Sequence, residues 1–334
     1  MVPSVICDRF TESRIKVSVA IPAYNAASTI KETVDSVLGQ TFRPFEILVL
    51  NDGSTDSTAA LLERYEPQVT VIHQKNEGLT AARNTLCGLA RGELMAFLDA
   101  DDVWHPRYLE VQSKLFVEHP DAVAFFTGHT NFHGYGNYEW ESTPLGNQTE
   151  AELIDPLSFL RQYNESTGAF ACLTYCCIPM RVFAEVGREP FGVRGLEDSF
   201  FFTKLPLLGR PVLYFPMPLA AYRVTGGSLS ANRLKIYANW VDVYKLLEVR
   251  YRDQAQDNLM KAFNIAFASR RRQYAKLLMT AGRPREAREE LVRSMSISHH
   301  PRSLAKSLGL LLTSYLPSSL QPEWRPIHRS SEGR

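Results

Sequence analysis

Residues 94–102 read LMAFLDADD, an apolar run that ends directly in a cluster of carboxylates. In an open α/β sheet, ligands bind just beyond the carboxyl ends of the strands. Carboxylate oxygens at that edge suit Mg²⁺ or Mn²⁺, which proteins usually hold with one or two carboxylates together with substrate phosphates. Asp-x-Asp patterns are also common in surface loops, so the position after a buried strand carries the argument. The stretch therefore predicts a strand that leads into a cation-binding site.

Four further segments have the apolar character of buried strands. They are Val17–Ile21, Glu46–Leu50, Val69–His73 and Ala122–Thr127. Amphipathic helical patterns lie between them, and one such face contains Ile30, Val34, Val37 and Leu38. Strands recur every ~23–29 residues, about the length of a βαβ unit, which predicts a mostly parallel sheet covered by helices.

Polar residues follow the first four strands, and we expect them to converge on one edge of the sheet. They lie in the segments 22–25, 51–54, 74–78 and 99–102. The sequence has no Gly-x-Gly-x-x-Gly after the first strand and no Gly-x-x-x-x-Gly-Lys-Ser/Thr loop. A phosphate-bearing ligand would therefore be neutralised by a metal and by side chains. This pattern favours a nucleotide-sugar site over a dinucleotide or ATPase site.

Six motifs, taken in order, resemble those of the family 2 glycosyltransferases. They are VAIPAYN (19–25), VLNDGSTD (49–56), NEGLTAARN (76–84), FLDADD (97–102), GLEDSFF (195–201) and AYRVTGGSLS (221–230). The match spans about residues 15–230. The resemblance implies an inverting enzyme of GT-A fold, with Mn²⁺ or Mg²⁺ as cofactor, a nucleoside-diphosphate-sugar donor (UDP-linked) and a glycan or lipid-linked acceptor.

The resemblance also assigns roles on the donor side. Asp52 would accept a hydrogen bond from the nucleotide base, with Pro22 and Tyr24 packing nearby. The alternative for Asp52 is a structural role in a turn or as a helix cap. Asp99 would face the ribose and the metal, and Asp101 would bind the metal itself. Other expected contacts of the nucleotide-sugar are Asn25, Asn76, Gly78 and Ala100.

Two arginines belong to the same expectation. Arg83 would pair with the diphosphate or with an acidic ligand residue, the alternative being a solvated helix position. Arg223 would help the diphosphate to leave. Asp102 precedes Pro106 and is interpreted as a residue that helps to start a helix.

On the acceptor side, Asp198 best matches the family's general base and Glu197 is the second candidate. The alternative for this pair is a structural role at a helix start. Many relatives carry a His two residues after the Tyr-Arg pair, where it completes the metal shell, whereas this chain has Thr225. Because a hydroxyl is a weaker ligand, this departure lowers the expected metal affinity.

Composition agrees with an enzyme rather than a nucleic-acid-binding protein. The 334 residues carry a net charge of only +1, and the five cysteines show no paired metal-ligand spacing. The first residues contain charges, so no signal peptide is expected, and no apolar run reaches the ~20 residues needed to span a bilayer. We therefore expect a cytoplasmic protein. The predicted organisation is an extension (1–14), a catalytic domain (15–232; donor half 15–127, acceptor half 128–232), a helical region (233–316) and a disordered tail (317–334).

The helical region predicts a second kind of contact. Tyr237, Trp240, Val241, Tyr244 and Leu247 fit one helix face, and residues 274–287 resemble a single tetratricopeptide-like helix pair, too little for a solenoid. Residues 270–310 contain ten Lys and Arg against three Glu, next to a leucine-rich segment. This combination suggests peripheral contact with an anionic membrane surface, and a solvated helix face is the alternative.

Two questions stay open at this level. The aromatic segment 132–140 could stack on the acceptor sugar or simply cover the core.

Two other functions are the alternatives to a glycosyltransferase. A sugar-1-phosphate nucleotidyltransferase would require a glycine-rich first loop at the position of Pro22–Asn25. A non-catalytic nucleotide-sugar-binding scaffold would bind the donor without forming product.

Overall fold

The computed structural model describes residues 15–136, 138, 140, 150–165, 172–186, 196–224 and 233–316. The described chain forms two compact units. The first contains residues 15–136, 138, 140, 150–153, 172–186 and 211–224, and the second contains 154–165, 196–210 and 233–316. Segments 154–165 and 196–210 thus associate with the C-terminal helices, although both lie inside the catalytic domain predicted from sequence. The predicted extension 1–14 and tail 317–334 lie outside the described residues.

The first unit is built on one mixed sheet. Its strands are β1 (Val17–Ala23), β2 (Glu46–Asp52), β3 (Thr70–Gln74), β4 (Leu94–Phe97), β5 (Val103–Trp104), β6 (Phe125–Phe132), β7 (Glu152–Ile154), β8 (Cys176–Pro179) and β9 (Val212–Arg223). They lie in the order β3-β2-β1-β4-β8-β6-β9-β5, and β7 pairs with β9. The pairs β3–β2, β2–β1 and β1–β4 are parallel, as predicted.

Eleven α-helices are present in the described residues. They are α1 (Ile30–Leu38), α2 (Thr58–Leu62), α3 (Leu79–Leu89), α4 (Tyr108–Glu118), α5 (Pro156–Glu165), α6 (Met180–Val186), α7 (Glu197–Lys204), α8 (Arg233–Gln254), α9 (Asp257–Thr280), α10 (Pro284–Ile297) and α11 (Pro301–Thr313). In α1, the side chains of Ile30, Val34 and Val37 are fully buried against the sheet, as its periodicity predicts. Leu38, at the edge of that face, is 38% exposed.

The antiparallel part of the sheet was not predicted. β8 lies between β4 and β6 and runs antiparallel to both. It has only four residues, and its two cysteines, Cys176 and Cys177, are buried and free. β6 begins three residues later than expected and continues to Phe132; it pairs in parallel with β9, with a register shift at Gly128. A Cβ on Gly128 would lie 2.6 Å from the Pro216 carbonyl oxygen, so this crossing requires glycine.

The second unit is helical. The five α8 residues expected on one face are all buried, which confirms that amphipathic pattern. A turn at Gly282, with φ +71°, joins α9 to α10, and Ala275, Leu278, Ala287 and Leu291 form the core between these helices. Among the described residues, no helix is long and apolar enough to cross a membrane.

Candidate active site

The polar segments at the carboxyl ends of β1 and β2 are joined by hydrogen bonds. Asn25 follows β1 and adopts a left-handed conformation with φ +49°. Its backbone N–H donates to the Ser54 hydroxyl (3.0 Å), and its side-chain oxygen accepts from the Thr55 backbone N–H (2.8 Å). Tyr24 is 51% exposed beside this junction. The two loops therefore form one surface, with Tyr24 available to a ligand.

Asp52, at the end of β2, shapes the loop that follows β3. It is 3% exposed. Its Oδ1 accepts from Gln74 Nε2 (2.6 Å) and the Glu77 backbone N–H (2.9 Å), and its Oδ2 accepts from the Gly78 N–H (2.8 Å). A Cβ on Gly53 would lie 2.6 Å from the Asn76 nitrogen, so the loop also requires glycine there. The structure thus shows Asp52 bracing the loop that contains Asn76 and Gly78.

Three carboxylates crowd the end of β4. Asp102 is fully buried: its Oδ1 accepts from the Arg223 backbone N–H (2.8 Å) and its Oδ2 from the Thr174 hydroxyl (2.8 Å). The Ala100 carbonyl accepts from the hydroxyls of Thr29 (2.8 Å) and Thr33 (3.0 Å). Asp102 is therefore a structural anchor of this loop rather than the helix start expected from Pro106.

The crowding changes the proton affinities of these carboxyls. Burial, and then the negative charge of Asp99, raise the pKa of Asp101 from 3.8 to about 6. Burial, and then the charges of Asp101 and Asp99, raise the pKa of Asp102 well above its usual value. A carboxyl cluster whose members resist ionisation is a site where a bound cation would be favourable.

The carboxylate oxygens at this edge of the sheet are of the kind that binds Mg²⁺ or Mn²⁺. Asp99 and Asp101 are only partly covered, and hard oxygen ligands of this kind suit either ion. In the described residues, no group of three or more His, Cys, Asp or Glu side chains is arranged to hold a metal by itself. The ion would accordingly need oxygens from a bound diphosphate. Thr225 lies outside the described residues, so its part in the shell stays a prediction.

Arg83 is held against Asp99. The guanidinium is 2% exposed on α3, and its Nη2 lies 2.7 Å from Asp99 Oδ1. The alternative of a solvated helix residue does not describe this position. Arg83 was expected to pair with the diphosphate or with an acidic ligand residue, and the structure shows the pair with the acidic residue Asp99.

Arg223 lies at the end of β9, where its guanidinium contacts protein groups on several sides. It donates to the Asp101 carbonyl (Nε, 2.5 Å), to the Gly134 carbonyl and to Glu32 Oε2 (2.5 Å). Its Cζ also lies 4.4 Å from the Phe132 ring centroid. Arg223 therefore fixes the loop of Asp101, and its expected role toward the diphosphate stays a prediction.

Glu32 is a site residue that sequence reasoning missed. It lies in the first turn of α1, is 6% exposed and accepts from Arg223 and from the Gly136 backbone N–H (2.8 Å). Its only sequence signal was a charge close to the apolar face of α1.

Phe132, in the aromatic segment, packs with Val103 and Ala221 and is flanked by Tyr138 and Trp140. These rings therefore cover a small core.

The acceptor-side carboxylates begin α7 in the second unit. Asp198 is half-buried, and the side chain of Glu197 lies outside the described residues. The next residue, Ser199, is held on both sides. Its Oγ accepts from the Tyr163 hydroxyl (3.1 Å), and its carbonyl accepts from the Thr203 hydroxyl (2.7 Å). The first turn of α7 is thus held by one hydrogen bond from α5 and one from within the helix.

A family model, described as glycosyl transferase family 2, matches residues 18–187. TuaG of Bacillus subtilis, a putative teichuronic acid biosynthesis glycosyltransferase, is 32% identical over 70% of this chain and 88% of its own length. WfgD of Escherichia coli, named as a UDP-Glc:α-D-GlcNAc-diphosphoundecaprenol β-1,3-glucosyltransferase, is 36% identical over 66% of this chain and 81% of its own length. GlyA of Streptococcus pneumoniae is 30% identical over 64% of this chain, which spans only 31% of GlyA.

The fold comparison agrees. The mannosyltransferase PcManGT of Pyrobaculum calidifontis, solved with GDP-Man and Mn²⁺, superposes with a TM-score of 0.57 over 93% of this chain and 85% of its own, at 20% identity. The fold, the family model and the named relatives together define a glycosyltransferase of GT-A fold. This chain belongs to glycosyl transferase family 2.

Proposed function

We propose that the protein is a metal-dependent, inverting glycosyltransferase. It transfers a sugar from a nucleoside-diphosphate-sugar donor, which we propose is UDP-linked, to a hydroxyl of a glycan or lipid-linked acceptor. The setting is bacterial surface-polysaccharide synthesis. The observation that carries this proposal is the crowded carboxylate pair Asp99 and Asp101 at the carboxyl end of β4. The names of TuaG and WfgD support the pathway, the UDP-linked donor and the lipid-linked acceptor.

On the donor side, this chain's residues would hold the cation and the nucleotide-sugar. Asp101 and Asp99 would bind the cation together with diphosphate oxygens, and Arg83 keeps the Asp99 carboxylate in place. When bound, the cation acts as a Lewis acid and stabilises the charge that develops on the departing nucleoside diphosphate. Tyr24 and Asn25 would contact the base, in a loop surface braced by Asp52.

On the acceptor side, Asp198 would take the proton of the attacking hydroxyl. Attack on the anomeric carbon and departure of the nucleoside diphosphate then occur in one displacement through an oxocarbenium-like transition state, which inverts the anomeric configuration. Glu197 is the second candidate for this base. Asp198 is preferred because it best matches the family's motif.

Calorimetry of UDP binding with Mn²⁺ and with EDTA tests the donor site. Asp101→Asn should remove the part of the affinity that depends on Mn²⁺ and leave the metal-free affinity unchanged. Asp242→Asn, an exposed substitution on α8, is the matched control.

A panel of nucleotide-sugars then identifies the donor by nucleoside-diphosphate release, and proton NMR of the product gives its anomeric configuration. Normal Mn²⁺-dependent binding by the Asp101 variant, or a product of retained configuration, would contradict the proposal.

We also propose peripheral membrane contact through the C-terminal helices. The α11 side chains Leu308 and Leu312 are 48% and 62% exposed, and Tyr315 just beyond the helix is 65% exposed. Arg302 and Lys306 are exposed on the same helix. An apolar strip flanked by cations suits the boundary of an anionic bilayer.

A further inference from the structure

The guanidinium of Arg270, on α9, is buried. Arg270 is 3% exposed, and its Nε and Nη2 atoms are buried without a hydrogen-bond partner among the residues that the structure describes. The neighbouring buried arginines have polar partners: Arg271 pairs with Glu290, although its Nε is also unpartnered, and Arg272 donates to Ser303 Oγ (2.9 Å). Because buried unsatisfied donors are costly, an arginine kept in this state calls for an explanation.

Arg270 begins a series of side-chain contacts that ends at the acceptor-side helix, α7. Its Cζ lies 4.2 Å from the ring centroid of Trp240 on α8. The Trp240 ring lies 5.8 Å from that of Tyr163 on α5, and the Tyr163 hydroxyl donates to Ser199 Oγ. Ser199 is the residue after Asp198 in the first turn of α7. Consecutive contacts therefore link α9, α8, α5 and the turn that carries Asp198.

The Tyr163 hydroxyl lies within the electrostatic reach of both ends of this chain of contacts. Burial is the main cause that raises the pKa of Tyr163; the negative charge of Asp198 raises it further, and the positive charge of Arg270 lowers it. The cation and the carboxylate thus act on the same buried hydroxyl. Tyr163 is 1% exposed and Trp240 is 4% exposed, so this group is shielded from water.

We propose that Arg270 is a positioning residue for the general base: through Trp240 and Tyr163, the C-terminal helices fix the α7 turn that carries Asp198. The proposal rests on the role given to Asp198 above. It assigns α8 and α9 a part in the transfer step itself. A misplacement of about 1 Å in a catalytic group can lower turnover by roughly 10²-fold. The gain in turnover from a well-placed base can therefore offset the free-energy cost of burying the Arg270 cation.

Three variants test the proposal. Arg270→Met removes the cation and keeps most of the apolar stem, Arg270→Lys restores a cation over the Trp240 ring, and Arg272→Met is the matched control in an adjacent buried arginine. The readouts are the thermal midpoint, the affinity for UDP with Mn²⁺, and the kcat and KM for nucleoside-diphosphate release from the best nucleotide-sugar of the panel.

We expect Arg270→Met to lower kcat by about 10- to 100-fold, with the UDP affinity and donor KM within about threefold of wild type. Arg270→Lys should recover most of kcat, whereas Arg272→Met should lower the thermal midpoint without this selective loss. Wild-type kcat in a folded Arg270→Met protein, or equal losses in both Met variants, would overturn the proposal.

Tyr163→Phe keeps the test decisive if Arg270→Met does not fold. This substitution removes only the hydroxyl that contacts Ser199, and we expect a kcat loss with unchanged UDP affinity; an unchanged kcat would overturn the proposal. Asp198→Asn separates the two levels of argument. If that variant keeps its turnover, the proposed general base is wrong. If it loses turnover while the Arg270 variants do not, only the positioning role is wrong.

Discussion

Replacing Asp101 by Asn should stabilise the metal-free protein while it destroys the metal site. The folded-state pKa of Asp101 is about 6, against 3.8 for an ordinary aspartate. Each pKa unit corresponds to about 1.4 kcal/mol, so ionised Asp101 costs the fold about 3 kcal/mol. Asn has nearly the same shape but no charge, so the variant avoids this cost.

The pH dependence follows from the direction of the shift. Because the folded-state pKa lies above the unfolded value, the carboxyl's contribution is full below about pH 4 and is lost as the pH rises to about 6. The advantage of Asp101→Asn should therefore be complete at pH 8 and about half as large at pH 5. At roughly 2–4 °C per kcal/mol, the thermal midpoint should rise by several degrees at pH 8.

Thermal unfolding in EDTA at pH 8 and pH 5 measures this difference, with Asp242→Asn as the surface control. Addition of Mn²⁺ and UDP should reverse the order at pH 8, because only the wild-type site gains binding energy from the metal complex. If Asp101→Asn melts no higher than wild type in EDTA at pH 8, burial and the charge of Asp99 do not make ionised Asp101 unfavourable as the structure implies.

Three further outcomes are expected. Asp198→Asn should lower turnover by about 10²–10⁴-fold with UDP affinity within about threefold, and Glu197→Gln should be milder; the reverse order in steady-state kinetics would make Glu197 the base. Asp52→Ala should weaken UDP binding in calorimetry with or without Mn²⁺, because the loop it braces loses three hydrogen bonds; equal affinity would exclude this role. The double substitution Leu308→Ser and Leu312→Ser should reduce sedimentation with anionic vesicles severalfold, and unchanged binding would favour a solvated face.

The parallel half of the sheet was predictable because parallel strands are buried on both faces. Such strands appear in the sequence as continuous apolar runs, and the predicted starts of β1, β2 and β4 agree with the structure. The loops after them contain the donor-side candidates, since parallel strands bring their carboxyl ends to one edge. Local composition was therefore enough to locate this edge.

The rest of the sheet, where antiparallel pairs mix with the parallel β6–β9 pair, was less predictable because long-range pairing defines it. β8 is a four-residue strand, and its position between β4 and β6 depends on partners about 50 to 80 residues away in the chain. β9 was recognised only as a motif that closes the catalytic domain. Its pairing with β6 shifts register at Gly128, and the close approach to Pro216 that causes this shift is not visible in the local sequence.

A motif identifies an important residue but does not say what that residue touches. Asp52 and Arg223 were expected to contact the nucleotide-sugar, and the structure shows both bonded to the loops that surround the donor edge. Glu32 has no motif, yet it balances the charge of Arg223 beside the loop of Asp101. Because a buried arginine without a carboxylate would be unfavourable, these two residues act as one unit. The geometry of the metal-binding loop therefore depends on α1 as well as on the motif itself.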